Sequence, residues 1–134
     1  MGRMSAEFAD TNVVLYLLDD GQKADRAEEL LATGPRISVQ VLNETLVNCR
    51  RKAGLGWAET GEFLAAIRSL CPVEPLTLET HDVGRALAER YGVSVYDAMI
   101  VAAALIAGCT TLWSEDMQDG LVVEGQLRIA NPFV

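Results

Sequence analysis

An α/β fold with a mainly parallel central sheet is the architecture this sequence predicts, and three observations predict it. Short apolar stretches of strand character alternate with longer segments of helical period. Turn punctuation separates them, at Gly21, Thr33–Gly34–Pro35, Gly54–Leu55–Gly56, Pro72, Pro75, Gly92 and Gly108. No repeat, low-complexity tract or linker interrupts the series, so the 134 residues read as one domain, 1–134.

The elements follow in order. Residues 6–10, AEFAD, form a short strand, and 11–20 and 23–33 form helices. Residues 36–39, RISV, form a second strand, followed by a helix over 41–52. Residues 58–70 form a helix with Phe63, Leu64, Ile67 and Leu70 on one face. A short strand at 73–76 precedes a helix over 79–92 that ends on Gly92, a residue suited to a left-handed helix terminus. The segment 95–108 is apolar nearly all round, which predicts a buried helix. Residues 110–113 and 127–131 complete the strands. In sheets of this kind ligands sit beyond the carboxyl ends of the strands.

Composition narrows the class. Hydrophobic residues make up 50% of the chain, which excludes a disordered protein. The longest apolar run, 98–109, is shorter than the roughly 20 residues a membrane span requires. The opening MGRMSAEF lacks the apolar core of a secretory leader. Cys49, Cys71 and Cys109 are odd in number and form no C-x-x-C pair, which predicts reduced thiols in a cytoplasmic protein and no zinc site. The single histidine, His81, cannot build a nitrogen-rich metal site and reads as a surface or capping residue. The net charge of −8 disfavours non-specific nucleic-acid binding, so a nucleic-acid role requires a local basic patch or bound metal. The only tight basic cluster is CRRK, 49–52.

Against this background four carboxylates stand out. Asp10 ends the first strand, in FADTNVVLYLLDD, between two apolar runs. Glu44 is expected in the first turn of the helix that follows the second strand, and Asp97 in the first turn of the most buried helix. Asp116 follows the strand TTLW, with Asp119 three residues on. Each has a plain structural use. Asp97 closes an S-x-x-D capping box with Ser94, Asp10 suits an Asx-turn, and SEDMQDG is an ordinary polar loop. Together they place acids along one sheet edge, where like charges raise one another's pKa. A divalent cation removes that penalty, and an oxygen-only donor set favours Mg²⁺ or Mn²⁺ over zinc.

ADTNVVLYLL, ISVQVLNETL and YGVSVYDAMIVAAALIAGCTTLWSED, taken in this order and spacing, resemble PIN-domain ribonucleases, and most nearly the VapC-like toxins of toxin–antitoxin pairs. The resemblance spans essentially the whole chain. It implies a PIN-like (Rossmann-like) three-layer fold with a central, mainly parallel sheet flanked by helices. It implies Asp10, Glu44, Asp97 and Asp116 as catalytic metal ligands, with Thr11, Asn12, Ser114 and Asp119 in support. It implies Mg²⁺ (or Mn²⁺) as cofactor, one or two ions being left open, and RNA as substrate, cut to a 5′-phosphate and a 3′-hydroxyl. A cognate antitoxin and a homodimer are the implied partners. Arg51, two helical turns after Glu44 on the same face, is a candidate phosphate contact, or simply a solvated helix-end charge.

Two phosphoryl-transfer rivals lack their residues: a D-x-D phosphatase needs an acid where Asn12 stands, and a receiver domain needs a lysine beyond Lys52. A PIN-like fold kept as a non-catalytic binding or scaffold module is the alternative from another class.

Overall fold

The computed structural model describes residues 6–134. The opening stretch read above as leader-free lies partly outside them, at positions 1–5, as does the start of the 1–134 domain. The described chain runs β1 (Glu7–Ala9), α1 (Thr11–Leu15), α2 (Gln22–Ala32), β2 (Ile37–Ser38), α3 (Val39–Arg51), α4 (Trp57–Leu70), β3 (Val73–Glu74), α5 (Leu78–Tyr91), α6 (Val95–Ile106), β4 (Thr111–Trp113), β5 (Val122–Val123) and β6 (Leu127–Ala130).

The predicted α/β architecture is the observed one. The sheet has the order β1-β4-β6-β5, with β1, β4 and β6 parallel and β5 antiparallel to β6. Ala9 stands opposite Trp113, and Trp113 opposite Ala130. The short parallel pair β2–β3 continues the sheet beyond β1, because Arg36 bridges to Phe8 and exchanges backbone hydrogen bonds of 2.9 Å with Glu7 and Ala9. Helices flank this surface. Phe8, Leu112, Leu127 and Ile129 bury their side chains between sheet and helices. No helix among the described residues is long and apolar enough to cross a membrane.

The buried helix predicted over 95–108 is α6. Every residue from Ala98 to Ala104 is buried, but its first turn stands out of the core, with Val95 58% and Tyr96 69% exposed. Ser94 caps it, its hydroxyl accepting from the Asp97 N–H at 3.1 Å. On the helix predicted over 58–70, Ile67 is buried, Phe63 and Leu64 half-buried, and Leu70 exposed.

Three local readings need correction. The helix expected over 11–20 is a single turn, α1, which tightens into a 3₁₀ turn at Tyr16–Leu18. The chain then extends at Asp19 and turns through Gly21 at φ 104°, a conformation glycine adopts without steric cost. Helix α3 starts at Val39, because Ser38 caps it by accepting from the Val41 N–H, so Glu44 lies in its second turn and not its first. Strand β5 falls at Val122–Val123, where the sequence predicts no strand. Its hairpin turn has Glu124 at φ 53° and Gly125 at φ 68°, a left-handed pair without the Asn-Gly signature. Glu124 is held there by its N–H donating to the Tyr91 hydroxyl at 2.9 Å and by an ion pair with Arg90.

Helices α5 and α6 pack closely at buried Gly84, where a Cβ would lie 2.7 Å from Met99 Cε and 2.9 Å from its sulfur. Gly84→Ala is expected to leave stability nearly unchanged: the flexible methionine end yields, and alanine's helix propensity offsets the crowding. Gly84→Val adds branching the contact cannot absorb and is expected to cost about 1–3 kcal/mol. Urea denaturation of both variants reads the difference.

Candidate active site

The site begins where β1 and β4 end. Their parallel register puts Asp10 and Ser114 one residue past the paired Ala9 and Trp113. The Asp10 N–H still donates to Trp113 O, and the Ser114 N–H to Ala130 O, both at 2.9 Å. Asp10 is 3% exposed. A carboxylate so desolvated needs donors. The Thr11 N–H donates to Oδ1 at 2.7 Å, the Ser114 hydroxyl to Oδ2 at 2.7 Å, and Asn12 Nδ2 to Oδ2 at 3.2 Å. Ser114 Oγ in turn accepts from the Met117 N–H at 3.2 Å, which orients the hydroxyl hydrogen toward Asp10.

Asn12 joins the two strand ends. Its Nδ2 also donates to Asp116 Oδ2 at 3.0 Å, and its Oδ1 accepts from the Glu115 N–H at 3.2 Å. Thr11 reaches the other way, its hydroxyl donating to Glu44 Oε1 at 2.9 Å. Gln40, one turn earlier on α3, donates to Glu44 Oε2 at 2.8 Å. Three consecutive residues, Asp10, Thr11 and Asn12, thus touch acids from α3 and from the loop after β4.

The electrostatics show the gathering. Burial pushes the Asp10 carboxyl up to about 6; its bonds from Ser114 and Thr11 oppose the shift, and the charges of Asp97 and Glu44 add to it. Asp97 is also raised, first by burial and then by the charge of Glu44, with a smaller push from Asp116 and an opposing bond from Ser94. No ion pair among the described residues involves Asp10, Glu44, Asp97 or Asp116. The nearest such pair, Lys23–Glu115, holds Glu115 below its usual range, with the Tyr16 hydroxyl donating to the same carboxylate.

Two clefts open here. One, of about 400 Å³, is lined by Glu44, Asp116, Thr11, Asn12, Tyr16 and Lys52, among others. The second, of about 530 Å³, shares Glu44 and Asn48 with it and adds Asp97, Tyr96 and Arg51. Arg51 therefore stands beside the acids, on the side of Asp97. Asp119 does not line either cleft. Its carboxylate turns away to accept from the Asn131 N–H at 2.8 Å, tying the loop to the end of β6. His81 is exposed on α5, and the three cysteines are buried thiols that line neither cleft.

The acids are coupled but not closed into a ligand set: no group of three or more His, Cys, Asp or Glu side chains among the described residues is arranged to hold a metal ion as it stands. Their donor chemistry nevertheless fits a hard divalent cation, being all oxygen and bearing unpaired like charge. Sequence reasoning missed Gln40, Asn48 and Lys52, which recur at four-residue spacing around Glu44 on α3, and Tyr16, Lys23 and Glu115. The helical period alone marked the first three; the other three meet only through the fold.

An α/β protein with an acidic cleft at the carboxyl edge of its parallel strands is what this geometry defines. The PIN domain family model matches residues 8–118, and the chain belongs to that family. Its fold is similar to a toxin–antitoxin complex from Klebsiella pneumoniae, at TM-score 0.73 and 19% identity over 95% of this chain and 98% of the other. It is similar to Mycobacterium tuberculosis VapC20, a sarcin-ricin loop cleaving toxin, at TM-score 0.66 and 24% identity over 82% and 89%. It is also similar to VapBC2 from Rickettsia felis bound to a DNA fragment from its promoter, at TM-score 0.68 and 16% identity over 93% and 97%. No curated protein matches the chain.

The raised Asp10 pKa sets a pH dependence. Because the folded value, about 6, exceeds the ordinary 3.8, the native state binds more protons than the unfolded chain between them. In EDTA, stability is expected to fall as pH rises from about 4 to about 6 and to stay lower at pH 7, by on the order of 3 kcal/mol from this group. Thermal melts across that range check it, and Asp10→Asn should flatten the slope.

Proposed function

We propose that this PIN domain is a divalent-metal-dependent endoribonuclease and the toxin member of a toxin–antitoxin pair. The observation that carries the proposal is the coupling of Asp10, Glu44, Asp97 and Asp116 at one sheet edge with no Lys or Arg paired to them among the described residues. A fold that spends stability on like charges there has a use for a cation. The toxin and toxin–antitoxin structures of similar fold support the same reading.

Asp10, Glu44, Asp97 and Asp116 would hold Mg²⁺ or Mn²⁺, which supplies charge neutralisation at phosphate and an activated water. Asp10 is the fixed ligand, locked by Thr11, Ser114 and Asn12. Asp116 is exposed and Asp97 half-exposed, so both have room to turn inward and close the set. Thr11 and Gln40 hold the two oxygens of Glu44 in fixed directions. Such supporting bonds set ligand orientation and basicity. Hydrolysis then adds water to phosphorus and releases the 3′ oxygen as a hydroxyl, leaving a 5′-phosphate.

Inhibition follows from the same electrostatics. An antitoxin segment that inserts an Arg or Lys toward Asp10, Asp97 and Asp116, with apolar neighbours against the adjoining helices, would neutralise the edge and exclude metal. A cytoplasmic homodimer is the assembly proposed for the free toxin. The non-catalytic alternative has one observation in its favour, the lack of a closed three-ligand set, and metal binding separates the two.

Asp97→Asn is expected to nearly abolish Mn²⁺-dependent RNA cleavage by purified protein while preserving the fold, since asparagine keeps the shape and loses the charge. Cleavage equal to wild type would mean a contaminating nuclease or a wrong site. Mn²⁺ at a hundredfold excess over its dissociation constant should stabilise the wild type by about 2.7 kcal/mol and Asp10→Asn or Asp116→Asn much less. Ser114→Ala should weaken metal affinity about 10- to 100-fold. Calorimetric titration and melts in EDTA and Mn²⁺ read these outcomes; equal shifts in all proteins would favour the binding module.

A further inference from the structure

The second cleft has a composition that the acids do not account for. Beyond the shared wall of Glu44 and Asn48, and beside Gln40 and the acid Asp97, it is lined by Asn43, Val47, Arg51 and Tyr96. Tyr96 is 69% exposed and Val47 46% exposed. Among the described residues no hydrogen bond, ion pair or ring contact engages the side chains of Tyr96, Asn43 or Arg51. The other strongly exposed aromatic ring, Trp57, is covered by the Arg50 guanidinium at 4.3 Å. Tyr96 has no such cover, and it directly precedes Asp97 in the first turn of α6.

An uncovered ring, an aliphatic floor, an amide and a cation are the parts with which proteins hold single-stranded nucleic acid. Unpaired bases stack on aromatic rings, amides meet their edges, and arginine meets the backbone. The volume, about 530 Å³, suits one nucleoside and lies within the range of roughly 300–1,000 Å³ of small-ligand sites. Charge strengthens the case. At a net −8 the protein has little general attraction for phosphate, so stacking has to supply binding that electrostatics withholds.

We propose that the cleft between α3 and the first turn of α6 is a nucleobase pocket. It takes one unpaired base of the RNA strand whose backbone crosses the acids Glu44 and Asp97 at its inner wall and Asp116 in the adjoining cleft. Tyr96 is the stacking face, Asn43 meets the base edge, and Arg51 holds the flanking phosphate. The proposal rests on the nuclease reading and adds to it the requirement for a splayed, single-stranded base beside the cut.

The test uses short, unstructured oligoribonucleotides of random sequence, cleaved in Mn²⁺, with the ends of the products sequenced. Tyr96→Ala is expected to raise KM about tenfold or more with a smaller change in kcat, and to flatten base preference at one position beside the cut. Tyr96→Phe should retain both, because it keeps the ring. Arg51→Ala, at an exposed position, should raise KM independently without changing base preference. The stabilisation by Mn²⁺ should be the same in Tyr96→Ala as in wild type, which shows the fold and the acid site intact. Wild-type cleavage with an unchanged KM and cut profile in Tyr96→Ala and Arg51→Ala overturns the pocket alone. An unchanged KM together with loss of the dimer in Tyr96→Ala assigns the face to a second copy of the chain and equally overturns it. Wild type that cleaves no RNA in Mn²⁺ overturns the nuclease reading, and the pocket with it.

Discussion

Keeping a carboxylate almost dry at the end of β1 is the constraint around which the sheet edge is built. Asp10 has no cationic partner among the described residues and survives on hydrogen bonds alone, from Thr11, Asn12 and Ser114. Those donors are not independent of the fold. Thr11 N is free to donate because α1 starts there, Ser114 is in reach because β4 lies beside β1 in register, and Asn12 is in reach because the helix turns back over the strand end. The helix start and the strand pairing therefore belong to one electrostatic solution, which removes only part of the cost, as the raised pKa shows.

The edge also sorts its charges. Glu115 lies next to Asp116 in sequence, yet Lys23 and Tyr16 engage it fully. Asp116 receives only the amide of Asn12 among the contacts described. One acid of the SED segment is thus consumed in tying the 3₁₀ turn and α2 to the loop after β4, while its neighbour stays available. A salt-bridged, hydrogen-bonded glutamate thus fixes the backbone that carries the freer aspartate.

Alternation of short apolar runs with helical segments was enough to read the α/β class, because β1, β4 and the buried middle of α6 have no other way to hide their side chains. The acids at strand ends were legible for the opposite reason: an aspartate between Phe8–Ala9 and Val13–Val14 has no cheap explanation in isolation. What escaped depends on geometry that residue type does not encode. The β5 hairpin uses Glu124 in a left-handed conformation, stabilised by Tyr91 from a distant helix. Asp119 has the composition of a site residue but points to Asn131, because a backbone N–H at the end of β6 needed an acceptor. Glu44 moved by a turn because Ser38, counted as strand, also caps α3. Tyr96 looked like part of an all-round apolar helix, and only the emergence of the first turn from the core shows its ring to be uncovered.

The three-residue pairing of β1 with β4 has a consequence for how this chain can vary over evolutionary time. Successive side chains in a strand face opposite sides, so inserting or deleting one residue in Glu7–Ala9 or Thr111–Trp113 inverts everything downstream of the change. Phe8, or Leu112 if the change falls in the second strand, would leave the interior, and Asp10 would lose Ser114. Length changes in these two segments are effectively barred. The exposed turn at 124–126, beyond the paired and buried Val123, carries no such coupling to the acids. Lineages of this protein are free to grow or shrink there, and to carry new recognition surface on it, without disturbing the chemistry at the sheet edge.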